Sequence, residues 1–213
     1  MTDRDAQAID GSGSAGDIDF WFDFASAYAY FAALEIDDLG RRVRRRINWH
    51  PFALGAAFKA TGSRGLSSTP LKRDYARTDW HRIARLRGVP FRLPDHHPSV
   101  ALAATRVFYL VAARDPERAP AFAREIFSAY YTRGIDSGNL DHVLAVAASL
   151  GLPADEFAAE ATTPAIKDRV KRVSERALEL GIFGSPYFVV DGEPFWGWDR
   201  MPMMERWIET GGW

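Results

Sequence analysis

The chain has 213 residues, enough for a sizeable hydrophobic core in one domain or two small ones. A formal net charge of -1 and an isoelectric point near 6.5 give no general attraction to nucleic acid or membrane. Cysteine is absent, which excludes disulfides, thiolate metal sites and a cysteine nucleophile; any thiol chemistry needs a thiol that arrives with a ligand.

Residues 1–16 (MTDRDAQAIDGSGSAG) are polar and glycine-rich and lack the apolar core of a signal peptide, so they read as a disordered tail on a cytoplasmic protein. No run approaches the ~18 apolar residues of a membrane helix. The stretch FWFDFASAYAY at 20–30 begins as a strand, with Ile18, Phe20, Phe22 and Phe24 recurring at period two. It continues as an alanine- and leucine-rich helix over 25–34 with no breaker. Ser26 stands at the join. A serine there can cap the helix, or it can offer its hydroxyl to an anion held at the unpaired N–H groups of the first turn. RRVRRR at 41–46 reads as a solvated helix end rather than a phosphate patch, because Glu35, Asp37 and Asp38 precede it. INWHPF at 47–52 closes on proline as a second strand, which makes a βαβ unit with parallel strands.

From Ala53 the character changes. A loop is expected over 59–68, with Gly62 and Gly65 as breakers, and then a charged helix over 70–87 carrying Tyr75, Trp80, Ile83 and Leu86. Gly88 stops that helix, and an extended segment leads to Asp95-His96-His97-Pro98. Ser99 is placed to cap a buried helix through 113, another helix is expected over 120–131, and Leu140, Val143, Leu144 and Ala147 mark a further one ending at Gly151. Pro153 opens a short helix. In the last block Thr163 caps, Pro164 takes the first helical position, and Ile166, Val170, Val173, Ala177 and Leu180 form one stripe. A hairpin follows, with strands at 187–190 and 193–196 about the turn Asp191-Gly192, and Pro194 marks the second strand as an edge. Asp199 can cap the final helix.

The element order β-α-β, helices, α-β-β-α describes an α/β protein: a thioredoxin-like core interrupted by an all-helical insertion domain. The parts are a tail at 1–16, the first half of the core at 17–52, the insertion at 53–162 and the second half of the core at 163–213. In such a core Ser26 meets the turn at 184–186, and a cis peptide before Pro186 would present the Ser185 backbone to an extended, peptide-like ligand. Other chemistries are poorly supported. His96 and His97 are adjacent and point apart, and His50, His81 and His142 show no paired ligand spacing, so no metal site is expected. Ser26 lacks a G-x-S-x-G elbow, and Lys59 lacks a phosphate-binding loop.

Three stretches carry a family likeness: FDFASAYAY at 22–30, PFALGAAFKATG at 51–62 and GIFGSPYFVVDGEPFWGWDR at 181–200. On these the chain resembles the 2-hydroxychromene-2-carboxylate isomerase family, which shares its DsbA-like thioredoxin fold with kappa-class glutathione transferases. The resemblance implies glutathione as cofactor, with Ser26 as the catalytic residue donating a hydrogen bond to its sulfur. It implies that Ser185 and Pro186 pair with the cysteinyl backbone, and that Trp196, Gly197, Trp198 and Asp199 hold the γ-glutamyl end. Lys59, Ser63 and His97 would face an aromatic carboxylate substrate, and a homodimer is expected. The chain departs from the family pattern at Ala27 (commonly proline), Ser63 (commonly asparagine) and Trp198 (commonly a small polar residue). The implied activity is glutathione-dependent isomerisation of an aromatic-degradation intermediate. The alternatives are a kappa-class-like transferase and a glutathione-binding protein without turnover.

Overall fold

The structure is a computed structural model and describes residues 16–213; the tail expected at 1–16 lies, apart from Gly16, outside the described residues. A four-stranded sheet is ordered β2-β1-β3-β4, with β1 (Ile18–Phe22) parallel to β2 (Ile47–Pro51) and antiparallel to β3 (Tyr187–Val190). β4 (Glu193–Trp196) is the edge, where Pro194 costs no ladder hydrogen bond. All five residues of β1 are buried. The period-two pattern therefore marks the sheet's two faces rather than core against solvent, because β1 is interior to the sheet and both of its faces are covered.

Register aligns side chains in two rows across the strands. Trp49, Phe20, Phe188 and Phe195 form one, with ring centroids 5.0 Å apart for Phe20–Trp49 and 5.3 Å for Phe20–Phe188. His50, Trp21, Tyr187 and Trp196 form the other, which ends on the exposed Trp196. Asp19, buried in β1, bonds His50 Nε2 at 3.0 Å and Asn48 at 3.0 Å, so this polar group inside the sheet is satisfied by the neighbouring strand.

Between β1 and β2 lie two helices, α1 (Ala27–Ala33) and α2 (Ile36–Val43), where one was expected. The break falls at Leu34 and Glu35, and Glu35 pairs with Arg87. Arg41, Arg42, Arg45 and Arg46 pair with Asp38, Glu205, Asp191 and Asp17, which bears out the solvated reading of the basic run.

Helices α3 (Leu54–Thr61), α4 (Lys72–Arg87), α5 (Leu102–Arg114), α6 (Ala119–Ser128), α7 (Leu140–Ser149) and α8 (Ala154–Glu160) follow, and then α9 (Pro164–Glu179). The loop expected from residue 59 starts only at Gly62, whose φ of 69° ends α3. On α4 it is Ala76, Trp80, Ile83 and Ala84 that are buried, while Tyr75 and Leu86 are exposed. Ser99 does not cap α5: its hydroxyl donates to Asp136 at 2.7 Å. Thr163 stands at the N-cap of α9 as expected, but its hydroxyl turns back to the Glu160 carbonyl instead of bonding the helix, and Leu180 falls outside the buried stripe of α9. α6 runs into a π-helical turn, Ala129–Arg133, a feature frequent at functional sites. The last helix, α10 (Met201–Thr210), follows a 3₁₀ turn (Trp198–Arg200); Asp199 lies inside that turn and does not cap α10.

Phe22 ties the sheet to the helices, meeting Phe108 of α5 at 6.2 Å and Phe127 of α6 at 5.4 Å. Phe22→Ala should lower stability to urea by about 3–5 kcal/mol, the scale of a truncated core phenylalanine. A loss below about 1 kcal/mol would show that the two layers do not depend on this contact.

Candidate functional site

The end of β1 and the turn before β3 are knotted together by backbone and hydroxyl groups. Ser26, in extended conformation, accepts the Ala29 N–H at 3.2 Å, so it does cap α1. The same hydroxyl donates to the Ser185 carbonyl at 2.8 Å. Capping and the outward role are thus compatible, since one uses a lone pair and the other the proton. Ser185 Oγ in turn accepts the Asp23 N–H at 2.9 Å. The Ser185–Pro186 bond is cis, and the Pro186 carbonyl accepts the Gly197 N–H at 3.1 Å. The motif residues 185–186 and 196–199 therefore share one turn cluster beside Ser26.

Asp23 is the residue that pattern reading missed. Its carboxylate accepts the N–H of Ala25 at 2.9 Å and of Leu54 at 3.0 Å, joining the Ser26 loop to the start of α3. Burial raises its pKa more than these two bonds lower it. The sequence signal was an aspartate directly after a strand, two residues before a backbone N–H it can bond.

The other expected residues divide. Trp196 lays its indole over Gly184, where an added Cβ would come within 2.1 Å of Nε1. Gly197 has φ 109°, and a Cβ there would meet the Asp199 carboxylate at 2.6 Å, so glycine is required twice beside the turn. Trp198 is half-buried, 6.2 Å from Phe31 and under the Arg87 guanidinium at 5.5 Å. Asp199 is exposed and paired with Arg200 at 3.2 Å. Trp198 and Asp199, with Glu35, Asp38, Arg42, Arg87 and Glu205, line a cleft of about 540 Å³; Ser26 and Ser185 are not among its lining residues. Leu39, Met201 and Pro202 complete its lining, which mixes charged and apolar groups and contains neither serine, so the chemistry is better placed by the hydrogen bonds than by the cavity.

Lys59 and Ser63 are exposed, on the last turn of α3 and just beyond it. His97 is enclosed. Its ring lies between Ser67 Oγ, 2.8 Å from Nε2, and Tyr130 OH, 3.0 Å from Nδ1. It meets Trp80 edge-on at 5.5 Å, and Trp80 packs on Tyr28 of α1 at 5.9 Å. Tyr131, wholly buried, stacks with Tyr30 at 5.1 Å and Phe91 at 5.4 Å; its hydroxyl has no partner among the described residues. No group of three or more His, Asp or Glu able to hold a metal occurs among the described residues, and no helix there is long and apolar enough to cross a membrane.

The family model described as DSBA-like thioredoxin domain matches residues 17–209. The 2-hydroxychromene-2-carboxylate isomerase of Sphingobium xenophagum is 30% identical over 193 residues, covering 90% of this chain and 97% of that one. The chain belongs to the 2-hydroxychromene-2-carboxylate isomerase family, within the DsbA-like thioredoxin fold. A solved structure of a 2-hydroxychromene-2-carboxylate isomerase superposes with a TM-score of 0.81 at 26% identity, covering 91% of this chain and 94% of that one. Human glutathione S-transferase kappa 1 is 24% identical over 208 residues, covering 90% and 92%. Of the three positions expected to differ from that family's pattern, Ala27 is buried as the first residue of α1, where proline is tolerated, Trp198 packs on α1, and Ser63 is exposed just beyond α3.

The Asp23 carboxylate should be what holds the loop to α3. Asp23→Ala is expected to cost about 2–3 kcal/mol in urea unfolding, by orphaning two N–H groups. Unchanged stability would remove Asp23 from the scaffold of the site.

Proposed function

We propose that the chain binds glutathione at the Ser26–Ser185 corner and works as a glutathione-dependent isomerase on a conjugated aromatic carboxylate of the 2-hydroxychromene-2-carboxylate type. The observation that carries this is the 2.8 Å bond from the Ser26 hydroxyl to the Ser185 carbonyl, in a chain without cysteine. A serine sits where the fold presents its reactive position, and it has a proton to give. When bound, glutathione supplies a thiolate that adds reversibly to a conjugated double bond, allowing rotation about the resulting single bond before elimination, with no net consumption or oxidation.

The residues present fit that ligand. The Ser185 carbonyl is an acceptor for a peptide N–H, and the Ser26 proton now on it is the one a sulfur anion would take. Exchanging the internal bond for two bonds to the ligand leaves neither the Ser26 hydroxyl nor the Ser185 carbonyl without a partner. Ser26 has no protein base within the bonds it makes, so it donates and does not attack. Its donation favours the thiolate over a thiol whose ordinary pKa is about 8.5. Asp199, exposed beside Gly197, would take the γ-glutamyl ammonium, exchanging its pairing with Arg200. Lys59, exposed on α3, offers charge to the substrate carboxylate.

A second reading, glutathione transfer to an electrophile, is favoured by the likeness to the kappa-class transferases and would use the same thiolate site. We extend both readings to a cytoplasmic homodimer. The exposed Phe183 and Trp196, 4.8 Å apart at the β4 edge, are apolar surface that a second copy would cover.

Ser26→Ala should leave glutathione affinity nearly unchanged, raise the pKa of the bound thiol, and slow isomerisation of 2-hydroxychromene-2-carboxylate by about ten- to a thousandfold, the scale of one lost donor to an anion. Asp199→Ala should instead weaken glutathione binding more than it slows the bound complex. Thiolate absorbance against pH reads both. Identical titrations for wild type and Ser26→Ala would exclude Ser26 from the mechanism, and a wild type that binds no glutathione at millimolar concentration would exclude both readings.

A further inference from the structure

His97 joins two hydroxyl groups, and the direction of the protons along this chain follows from its far end. The Ser99 backbone N–H lies 3.2 Å from the Tyr130 oxygen, which therefore accepts there. Tyr130 is wholly buried, so its own proton needs an acceptor, and His97 Nδ1 at 3.0 Å supplies one. Burial, reinforced by Arg77 and then His96, lowers the His97 pKa to about 4, so the ring is neutral at neutral pH and carries a single N–H. With Nδ1 accepting, that hydrogen is on Nε2 and is donated to Ser67 Oγ at 2.8 Å. The Ser67 proton is then turned out of the chain. The opposite polarity would give Tyr130 two incoming N–H groups and strand its own proton in the core, at the cost of a buried unsatisfied donor.

Ser67 is half-buried on a 3₁₀ turn (Leu66–Ser68) in the loop after α3. Across His97 and Trp80 from it stands Tyr28, two residues beyond Ser26. Ser63, which the family resemblance turns toward the substrate, is exposed, and its backbone N–H turns back to Thr61 at 3.4 Å. His97 has both ring nitrogens engaged and no ring donor left for a ligand.

We propose that Ser67 donates the hydrogen bond that recognises an acceptor oxygen, carbonyl or carboxylate, of the second substrate, with His97 and Tyr130 as positioning residues that keep its proton outward. This rests on the isomerase reading of the same site and moves the polar contact from Ser63 to Ser67. The substrates selected are those with an acceptor oxygen at that point; an isosteric donor there would meet a second donor.

Two measurements test it. Nitrogen chemical shifts of His97 in the intact protein should show the Nε2–H tautomer at pH 7; the Nδ1–H tautomer overturns the inference. Binding of 4-oxochroman-2-carboxylate, a probe with both acceptor types and no conjugated double bond for the thiolate to add to, is then titrated onto the glutathione-loaded protein. Ser67→Ala should weaken it about tenfold, as expected for one hydrogen bond to a charged or strongly polar acceptor, and Ser67→Thr should restore most of the loss. Ser63→Ala should change it less than twofold. Tyr130→Phe releases Nδ1, lets Ser67 turn its proton onto Nε2, and should weaken the probe as much as Ser67→Ala; the double variant should be no weaker than either single one. Equal affinity for wild type and Ser67→Ala, or no binding of the probe to glutathione-loaded wild type, overturns the inference while the glutathione site stands. If glutathione does not bind, the isomerase reading fails, and the tautomer and the titration of the glutathione-free protein still decide the role of Ser67.

Discussion

The structure depends on one pairing: Ser185 clasped at both its hydroxyl and its carbonyl by the loop that ends β1. Asp23 N–H enters the Ser185 hydroxyl, and Ser26 gives its own hydroxyl to the Ser185 carbonyl. These two bonds span 162 and 159 residues of chain. They bring together the first and last thirds of the sequence at the place where β1 and β3 pair. Helices α3 to α8 fill the interval, and the Asp23 carboxylate fastens the first of them to the same loop. Scaffold and chemistry thus draw on a few adjacent groups, which confines substitutions there to small changes.

On the proposed reading, that clasp is also how a cysteine-free chain in a thioredoxin-like fold would keep a usable site. The hydroxyl at the start of α1 and the carbonyl before Pro186 satisfy one another, so neither is a buried orphan. A ligand offering one sulfur anion and one peptide N–H can replace the internal bond with two of its own. Under the proposal, binding would cost little in lost protein hydrogen bonds, and affinity would come from the turn backbone and Asp199. The aromatic rows behind the corner, Trp49 to Phe195 on one face and His50 to Trp196 on the other, resist movement of the strands that carry it.

Much of this was legible in the chain. Period-two aromatics, the Asp191-Gly192 turn and Pro194 specify their strands locally, and the structure has each of them. Ser26 and Ser185–Pro186 were readable because strand-to-helix joins and X-Pro turns are local signals whose meeting follows from strand order. What was not legible depends on distant partners. Nothing local breaks the helix at Leu34, where Glu35 pairs with Arg87. Ser99, Thr163 and Asp199 have the right chemistry for caps, but the first two donate to Asp136 and the Glu160 carbonyl, and Asp199 sits inside a 3₁₀ turn. The links from Ser67 to His97 and from His97 to Tyr130 cross 30 and 33 residues, and no periodicity announces them.

The most direct test of the exchange at the Ser26–Ser185 corner is a structure of the protein with glutathione bound. The Ser26 hydroxyl should leave the Ser185 carbonyl and lie within hydrogen-bond distance of sulfur, while that carbonyl accepts the cysteinyl N–H. A complex in which the Ser26–Ser185 bond persists and the tripeptide lies elsewhere, for instance in the cleft by Arg42 and Glu205, would contradict it.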